Sequence, residues 1–152
     1  MGIANIAAKR STCFRGNVGC VIIHDNNPIS IGYNGPPAGD DHCKGTHCEI
    51  SSTGGCLRSI HAEENALARI PEDSGDWHNG WGGLDLYVTS NPCPDCAEII
   101  GTDGRVNRVF YQSPYRIKAG IPILHEYKIE VFRFSPSGYL INEKTGEVLE
   151  AN

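Results

Sequence analysis

The sequence predicts an α/β domain in three layers, α/β/α, with a central mixed five-stranded sheet and helices on both faces. Three observations carry this reading. Val18–Ile23 and Pro28–Tyr33 are β-rich runs on either side of the turn-rich His24–Asn27, so they form an antiparallel hairpin. Over residues 84–134, strand patterns alternate with helix patterns, as parallel βα units do. The 152 residues are 39% hydrophobic, enough for one real core.

Element by element, Ile3–Lys9 is a short Ala- and Ile-rich helix ahead of the hairpin. Gly35–Gly55 is long, aperiodic and rich in Gly and Cys. A loop of that length needs a staple or a functional reason. His61–Ile70 is a helix with Ala62, Ala66, Leu67 and Ile70 along one side. After a Gly/Trp/Asp loop come the strand Leu84–Thr89 and the helix Pro94–Gly101, with Pro at its first position and Cys93 as its cap. Val106–Tyr111 is a strand, Ile117–Tyr127 a helix and Ile129–Phe134 the fifth strand. Residues 135–152 form a polar tail, with a β-ribbon signal around Tyr139–Ile141 and Val148. No repeat, low-complexity tract or linker divides residues 1–152, which read as a single domain.

Composition removes several functional classes. No apolar run approaches the ~20 residues that span a bilayer. Met1–Asn5 lacks the basic and apolar regions of a secretory signal. A cytoplasmic location and no membrane partner are expected. A net charge of −5 argues against polymeric nucleic acid as partner, because phosphate neutralisation needs a basic surface. It leaves room for a small anion held by a few Arg or Lys side chains. The seven cysteines, odd in number and expected in a reducing compartment, read as metal ligands rather than disulfides.

Two motifs carry chemistry, His61-Ala62-Glu63 and Pro92-Cys93-Pro94-Asp95-Cys96. Catalytic zinc usually takes three protein ligands and leaves a fourth position for water. His61, Cys93 and Cys96 supply one nitrogen and two thiolates near predicted helix starts, where the helix ends favour ionised sulfur. Zinc can lower the pKa of bound water to about 7. Glu63, two residues from His61, then stands beside that water as a proton carrier. Taken separately, Cys93/Cys96 could be a redox pair near a βα unit, and His61/Glu63 solvated helix-start residues. Together and in this order, the motifs resemble the H-x-E and P-C-x-x-C signature of zinc nucleobase deaminases.

Flanking segments narrow the resemblance. Lys9-Arg10-Ser11-Thr12-Cys13-Phe14-Arg15 with Val18-Gly19, Gly32 to Gly39 (GYNGPPAG), Gly55-Cys56-Leu57-Arg58 before HAEENAL, LYVTSNPCPDCA and Tyr115-Arg116 extend beyond the shared motif. Over nearly its whole length the chain resembles the deoxycytidylate (dCMP) deaminase family of bacterial and viral type, within the zinc-dependent cytidine deaminase superfamily. The resemblance implies a cytidine-deaminase-like fold and hydrolysis of dCMP to dUMP and ammonia, supplying dUMP for thymidylate synthesis. It implies that Asn34 bonds the sugar hydroxyl, Arg15 clamps the 5′-phosphate, Tyr115 stacks on the base and the Ala62 amide meets the base carbonyl. The rival readings are a turn residue for Asn34, a surface charge for Arg15 and a packing aromatic for Tyr115. The family also implies dCTP activation and dTTP inhibition at the Gly35–Gly39 loop, with Gly35 and Gly39 as effector contacts and Mg2+ accompanying the triphosphate, in a homo-oligomer, usually a hexamer. The short N-terminal helix, the Trp77–Gly83 insert and the tail after Phe134 depart from the family pattern.

A second, structural zinc is expected from Cys13, Cys43, Cys48 and Cys56. Cys43 and Cys48 have four residues between them, a structural-zinc spacing, and Cys56 follows a Gly-rich turn. Such a site would order the long loop, since binding free energy becomes folding free energy. His47 and His42 are rival ligands, and Cys20 within VGCVII reads as a buried free thiol. The alternative functions are a dual dCMP/dCTP deaminase, a 5-modified-dCMP deaminase and an inactive nucleotide-binding regulator. The intact Glu63 argues against the last.

Overall fold

The computed structural model describes residues 1–13, 15–42, 49–52, 55–71, 83–114 and 119–150. Its elements run α1 (Gly2–Ala8), β1 (Gly19–His24), β2 (Asn27–Tyr33), α2 (Ala62–Leu67), β3 (Leu84–Ser90), α3 (Pro94–Asp103), β4 (Val106–Ser113), α4 (Gly120–Glu126), β5 (Glu130–Phe134), β6 (Tyr139–Asn142) and β7 (Val148–Glu150). One mixed sheet holds the strands in the order β2-β1-β3-β4-β5-β6-β7. β3, β4 and β5 are parallel, and the remaining pairings are antiparallel.

The β1–β2 hairpin turns on Asp25 and Asn26, both with positive φ (46° and 64°). Two left-handed residues in a tight turn match the twist of the strands, and Asp and Asn tolerate that conformation best after glycine. Pro28 lacks an amide hydrogen and is accommodated because β2 lies at the sheet edge.

The two faces of the sheet are covered differently. On β1, Gly19 faces Ala4 and Ala8 of α1, while the next residue, Cys20, pairs with Gly32 beneath α2 on the opposite face. That second face carries the main core: Cys20, Ile22, Leu86, Val88, Val109 and Val131 of the strands meet α2, α3 and α4. Ile22, Leu86, Ile100 and Leu124 are fully buried, each contributing about 1.5–3 kcal/mol. On the α1 side, Tyr87, Phe110 and Phe132 are register partners across β3, β4 and β5. Their rings stack at 4.4 and 5.1 Å.

The sheet has seven strands, not the five expected from sequence. β6 and β7 are mostly exposed and show no apolar alternation, so periodicity had little to report. Polar contacts build them instead. Asn142 Oδ1 accepts from the amides of Lys144 and Thr145 at 2.9 and 3.1 Å, and Gly146 takes φ 73°. The Tyr111 hydroxyl and Arg133 Nε both donate to Glu143 Oε1, at 2.7 and 2.9 Å, tying the ribbon to β4 and β5. Helix bounds also shift: α2 ends at Leu67 with a turn to the buried Ile70, α3 runs on to Asp103, and among the described residues α4 begins at Gly120.

α2 lies on β2 at Gly32. A Cβ there would stand 2.1 Å from the Ala62 carbonyl oxygen and 2.5 Å from the Ala66 nitrogen. Gly32→Ala would ordinarily favour a strand, by about 0.5–1 kcal/mol. Here it should destabilise the fold by about 1–3 kcal/mol through overpacking, read as a lower urea midpoint at unchanged m-value.

Candidate active site

Two chain segments far apart in sequence end at one point on the main-core face. Gly35 and Ile60 exchange both backbone hydrogen bonds, at 3.1 and 2.9 Å, which fixes the residue before His61. His61 then caps α2 with an extended backbone (φ −78°, ψ 158°). The helix is seated by Ser30 Oγ donating to the Ala66 carbonyl at 2.6 Å and Asn65 Nδ2 donating to the Tyr33 carbonyl at 2.8 Å. On the other side Cys93 caps α3, also extended, with Pro94 opening the helix. The Asn91 amide donates to the Ser113 carbonyl at 3.0 Å. Pro92 is fully buried, and its carbonyl oxygen would lie 2.2 Å from a Cβ at Gly120, the first residue of α4.

His61, Cys93 and Cys96 each offer a ligand atom, all within 4.8 Å of one another. The His61 Nδ1 lies 3.0 Å from Cys96 Sγ and 3.5 Å from Cys93 Sγ. Without a cation, the hydrogen bond from the Cys96 thiol brings Cys93 down to about 4. The same bond, with burial, pushes Cys96 up. Facing that thiolate, His61 rises to about 9. A divalent cation would displace these protons, and one imidazole with two thiolates suits zinc while leaving a coordination position open. Glu63 is only 4% exposed, and burial raises its carboxyl to about 7.

A cavity of about 570 Å³ opens over this cluster, lined among others by Cys13, Arg15, Asn34, Ala62, Glu63 and Cys56. Arg15 is exposed and, among the described residues, has no ion pair. Ala62 is fully buried at the start of α2. The buried Asn34 directs its side chain into the 11–18 segment: Oδ1 accepts from Ser11 Oγ and the Val18 amide, and Nδ2 donates to the Gly16 carbonyl. Among the described residues Nδ2 makes this one bond, leaving its second hydrogen. Gly35 is buried in its bridge with Ile60, and Gly39 sits in an exposed turn at φ 95°.

Cys13 and Cys56 line the cavity, but Cys43, Cys48 and the rival His47 lie outside the described residues, as do Tyr115, Arg116 and most of the Trp77–Gly83 insert. His42 is exposed. Cys20 is a buried free thiol raised by desolvation, as its sequence context implied. Sequence reasoning passed over Ser11 and Asn91. Asn91 lines the cavity at 3% exposure and Ser11 bonds to the cavity-lining Asn34, but neither belongs to a spacing that signals chemistry.

Residues 1–113 match the family described as the cytidine and deoxycytidylate deaminase zinc-binding region. The chain is 34% identical over 137 residues to ComE operon protein 2 of Bacillus subtilis, covering 87% of this chain and 63% of that protein. It is 36% identical to the deoxycytidylate deaminase of Mycobacterium phage D29, covering 73% of this chain and 89% of the phage protein. It spans 37% of the length of the Schizosaccharomyces pombe deoxycytidylate deaminase, at 35% identity. The crystal structure of dCMP deaminase from cyanophage S-TIM5, in complex with dCMP and dUMP, superposes with a TM-score of 0.71 at 31% identity, covering 87% of this chain and 91% of that one.

Helix propensity would reward Gly120→Ala by about 1 kcal/mol. Contact with the Pro92 carbonyl should reverse that sign and disturb Cys93. The variant should lose bound Co2+ to a chelator at least about ten-fold more readily, with a weakened thiolate-to-cobalt absorption band. Wild-type stability and spectrum would separate α4 from the metal cluster.

Proposed function

Because the chain belongs to the cytidine and deoxycytidylate deaminase family, we propose that it is a zinc-dependent hydrolase converting dCMP and water to dUMP and ammonia. The observation that carries this reading is a buried carboxyl, Glu63, two residues from His61 in a His/Cys/Cys cluster at the base of a cavity. The relatives named as deoxycytidylate deaminases support the substrate.

His61, Cys93 and Cys96 would hold the zinc. When bound, zinc supplies a water acidic enough to lose a proton near neutral pH. Glu63, buried beside these ligands in the first turn of α2, would carry the protons. Its carboxylate takes the first proton and delivers it to ring N3, while the water oxygen bonds to C4. It then takes the remaining water proton and hands it to the C4 amino group. The C4–N bond breaks, ammonia leaves, and the ring retains a carbonyl at C4 and hydrogen at N3.

The Ala62 amide, in the first turn of α2 where helix amides lack intrahelical partners, would donate to the base carbonyl. The free Nδ2 hydrogen of Asn34 would meet the sugar hydroxyl, Tyr115 would stack on the base, and Arg15 would pair with the 5′-phosphate. A second zinc on Cys13, Cys43, Cys48 and Cys56 would staple the 35–55 loop. Supply of dUMP, control by dCTP and dTTP with Mg2+ at Gly35 and Gly39, a cytoplasmic homo-oligomer, and a single domain over 1–152 complete the proposal.

Glu63→Ala should retain the fold and two zinc ions per chain while losing nearly all ammonia release. Turnover within a few-fold of wild type would exclude the carboxylate as proton carrier.

Ammonia release across dCMP, dCTP, CMP, deoxycytidine and 5-substituted dCMP tests the substrate. Arg15→Ala should lower kcat/KM for dCMP by roughly 30- to 200-fold, the ~2–3 kcal/mol of a charge-assisted contact, with little effect on deoxycytidine. Equal losses on both would assign Arg15 to the fold and the phosphate to another cation.

A further inference from the structure

Arg15 sits in a segment with no regular secondary structure, between α1 and β1, so something other than a helix or strand must hold it at the cavity. The hydrogen bonds converge on Asn34. Its amide orientation is dictated by backbone groups of fixed polarity: the Val18 N–H can only donate, to Oδ1 at 2.8 Å, and the Gly16 carbonyl can only accept, from Nδ2 at 2.9 Å. The Asn34 main-chain amide adds a bond to the Val18 carbonyl at 3.1 Å.

Ser11 completes this knot. Its hydroxyl lies 2.7 Å from Asn34 Oδ1 and 2.8 Å from the Asn34 carbonyl oxygen, so its single hydrogen is shared between two acceptors. The same oxygen accepts from the Cys13 amide at 3.2 Å. The Ser11 amide is itself anchored to the Ala8 carbonyl at the end of α1, at 3.0 Å. The segment is therefore pinned before Arg15, at Ser11 and Cys13, and after it, at Gly16 and Val18, with Asn34 as the common post.

We propose that Ser11 is a positioning residue for substrate binding: through Asn34 and the Cys13 amide it holds the 11–18 segment so that Arg15 faces the cavity. The proposal rests on the reading of Arg15 as the phosphate partner. Ser11 is not among the described residues that line the cavity. It acts by sparing Arg15 the entropy of ordering its own backbone when the phosphate arrives, which is preorganisation.

The test combines Ser11→Ala and Ser11→Thr with Arg15→Ala. Ser11→Ala should raise KM for dCMP about ten-fold, the worth of one hydrogen bond, with kcat within about two-fold. The loss should be confined to substrates carrying the phosphate. Ser11→Thr, which keeps the hydroxyl, should restore KM. In the Arg15→Ala background Ser11→Ala should add nothing, because the group it positions is gone. Additive losses, or equal losses on dCMP and deoxycytidine, would overturn the proposal. Should Arg15→Ala itself spare the preference for dCMP, the phosphate reading falls, and amide hydrogen exchange decides the positioning role. Faster exchange at Cys13 and Val18 in Ser11→Ala, reversed in Ser11→Thr, would uphold it, and unchanged exchange would end it.

Discussion

The site depends on two places where backbone packs directly on backbone: α2 on β2 at Gly32, and the Pro92–Cys93 loop on the first turn of α4 at Gly120. Side-chain contacts can absorb small changes by changing rotamer, whereas two main chains in contact have no such freedom. His61 and Cys93 are the caps of α2 and α3, so these contacts set the positions of both. Ligand atoms gathered within 4.8 Å require backbone placement good to about 0.5 Å. The Gly35–Ile60 bridge and the Asn91–Ser113 hydrogen bond hold the two approach segments from behind, one residue before His61 and two before Cys93.

Burial then gives the assembled groups their chemistry. Glu63 stands in the first turn of α2, only 4% exposed, where desolvation opposes ionisation and lifts its carboxyl to about 7. Cys20, in the main core, is raised by desolvation and further by the charge of Glu63, so it stays a neutral thiol. The neighbouring thiolate of Cys93 and imidazole of His61 keep charge within the cluster instead of dispersing it to water. A buried cluster of this kind is costly unless its charges are compensated, and a bound cation does so.

The opposite end of the sheet serves another purpose. β6 and β7 extend it past β5, held by the Glu143 carboxylate between Tyr111 and Arg133. The stacked Tyr87, Phe110 and Phe132 stiffen the three parallel strands on the α1 side. Both features lie away from the cavity-lining residues, which come from the 13–18 segment, Asn34, the 51–63 stretch and residues 90–95.

The sequence by itself determined the candidate site residues and most of the architecture. His61, Glu63, Cys93 and Cys96 were legible because each motif is short and its spacing is a local property of a helix start. The hairpin and the alternating strands and helices were legible because burial on one face imprints a period on the chain. The ribbon at Tyr139–Ile141 and Val148 was legible as β6 and β7, but its place in the main sheet was not, because polar anchors such as Glu143 leave no period to read. Only the tertiary structure decided that Gly32 and Gly120 are contact points rather than loose turn residues, and that Ser11 and Asn34 knot the segment carrying Arg15. Those roles depend on which residues meet across 23 positions for Ser11 and Asn34, or across the α4–loop interface for Gly120. A one-dimensional pattern carries no such information, because the partners are chosen by packing geometry and not by spacing along the chain.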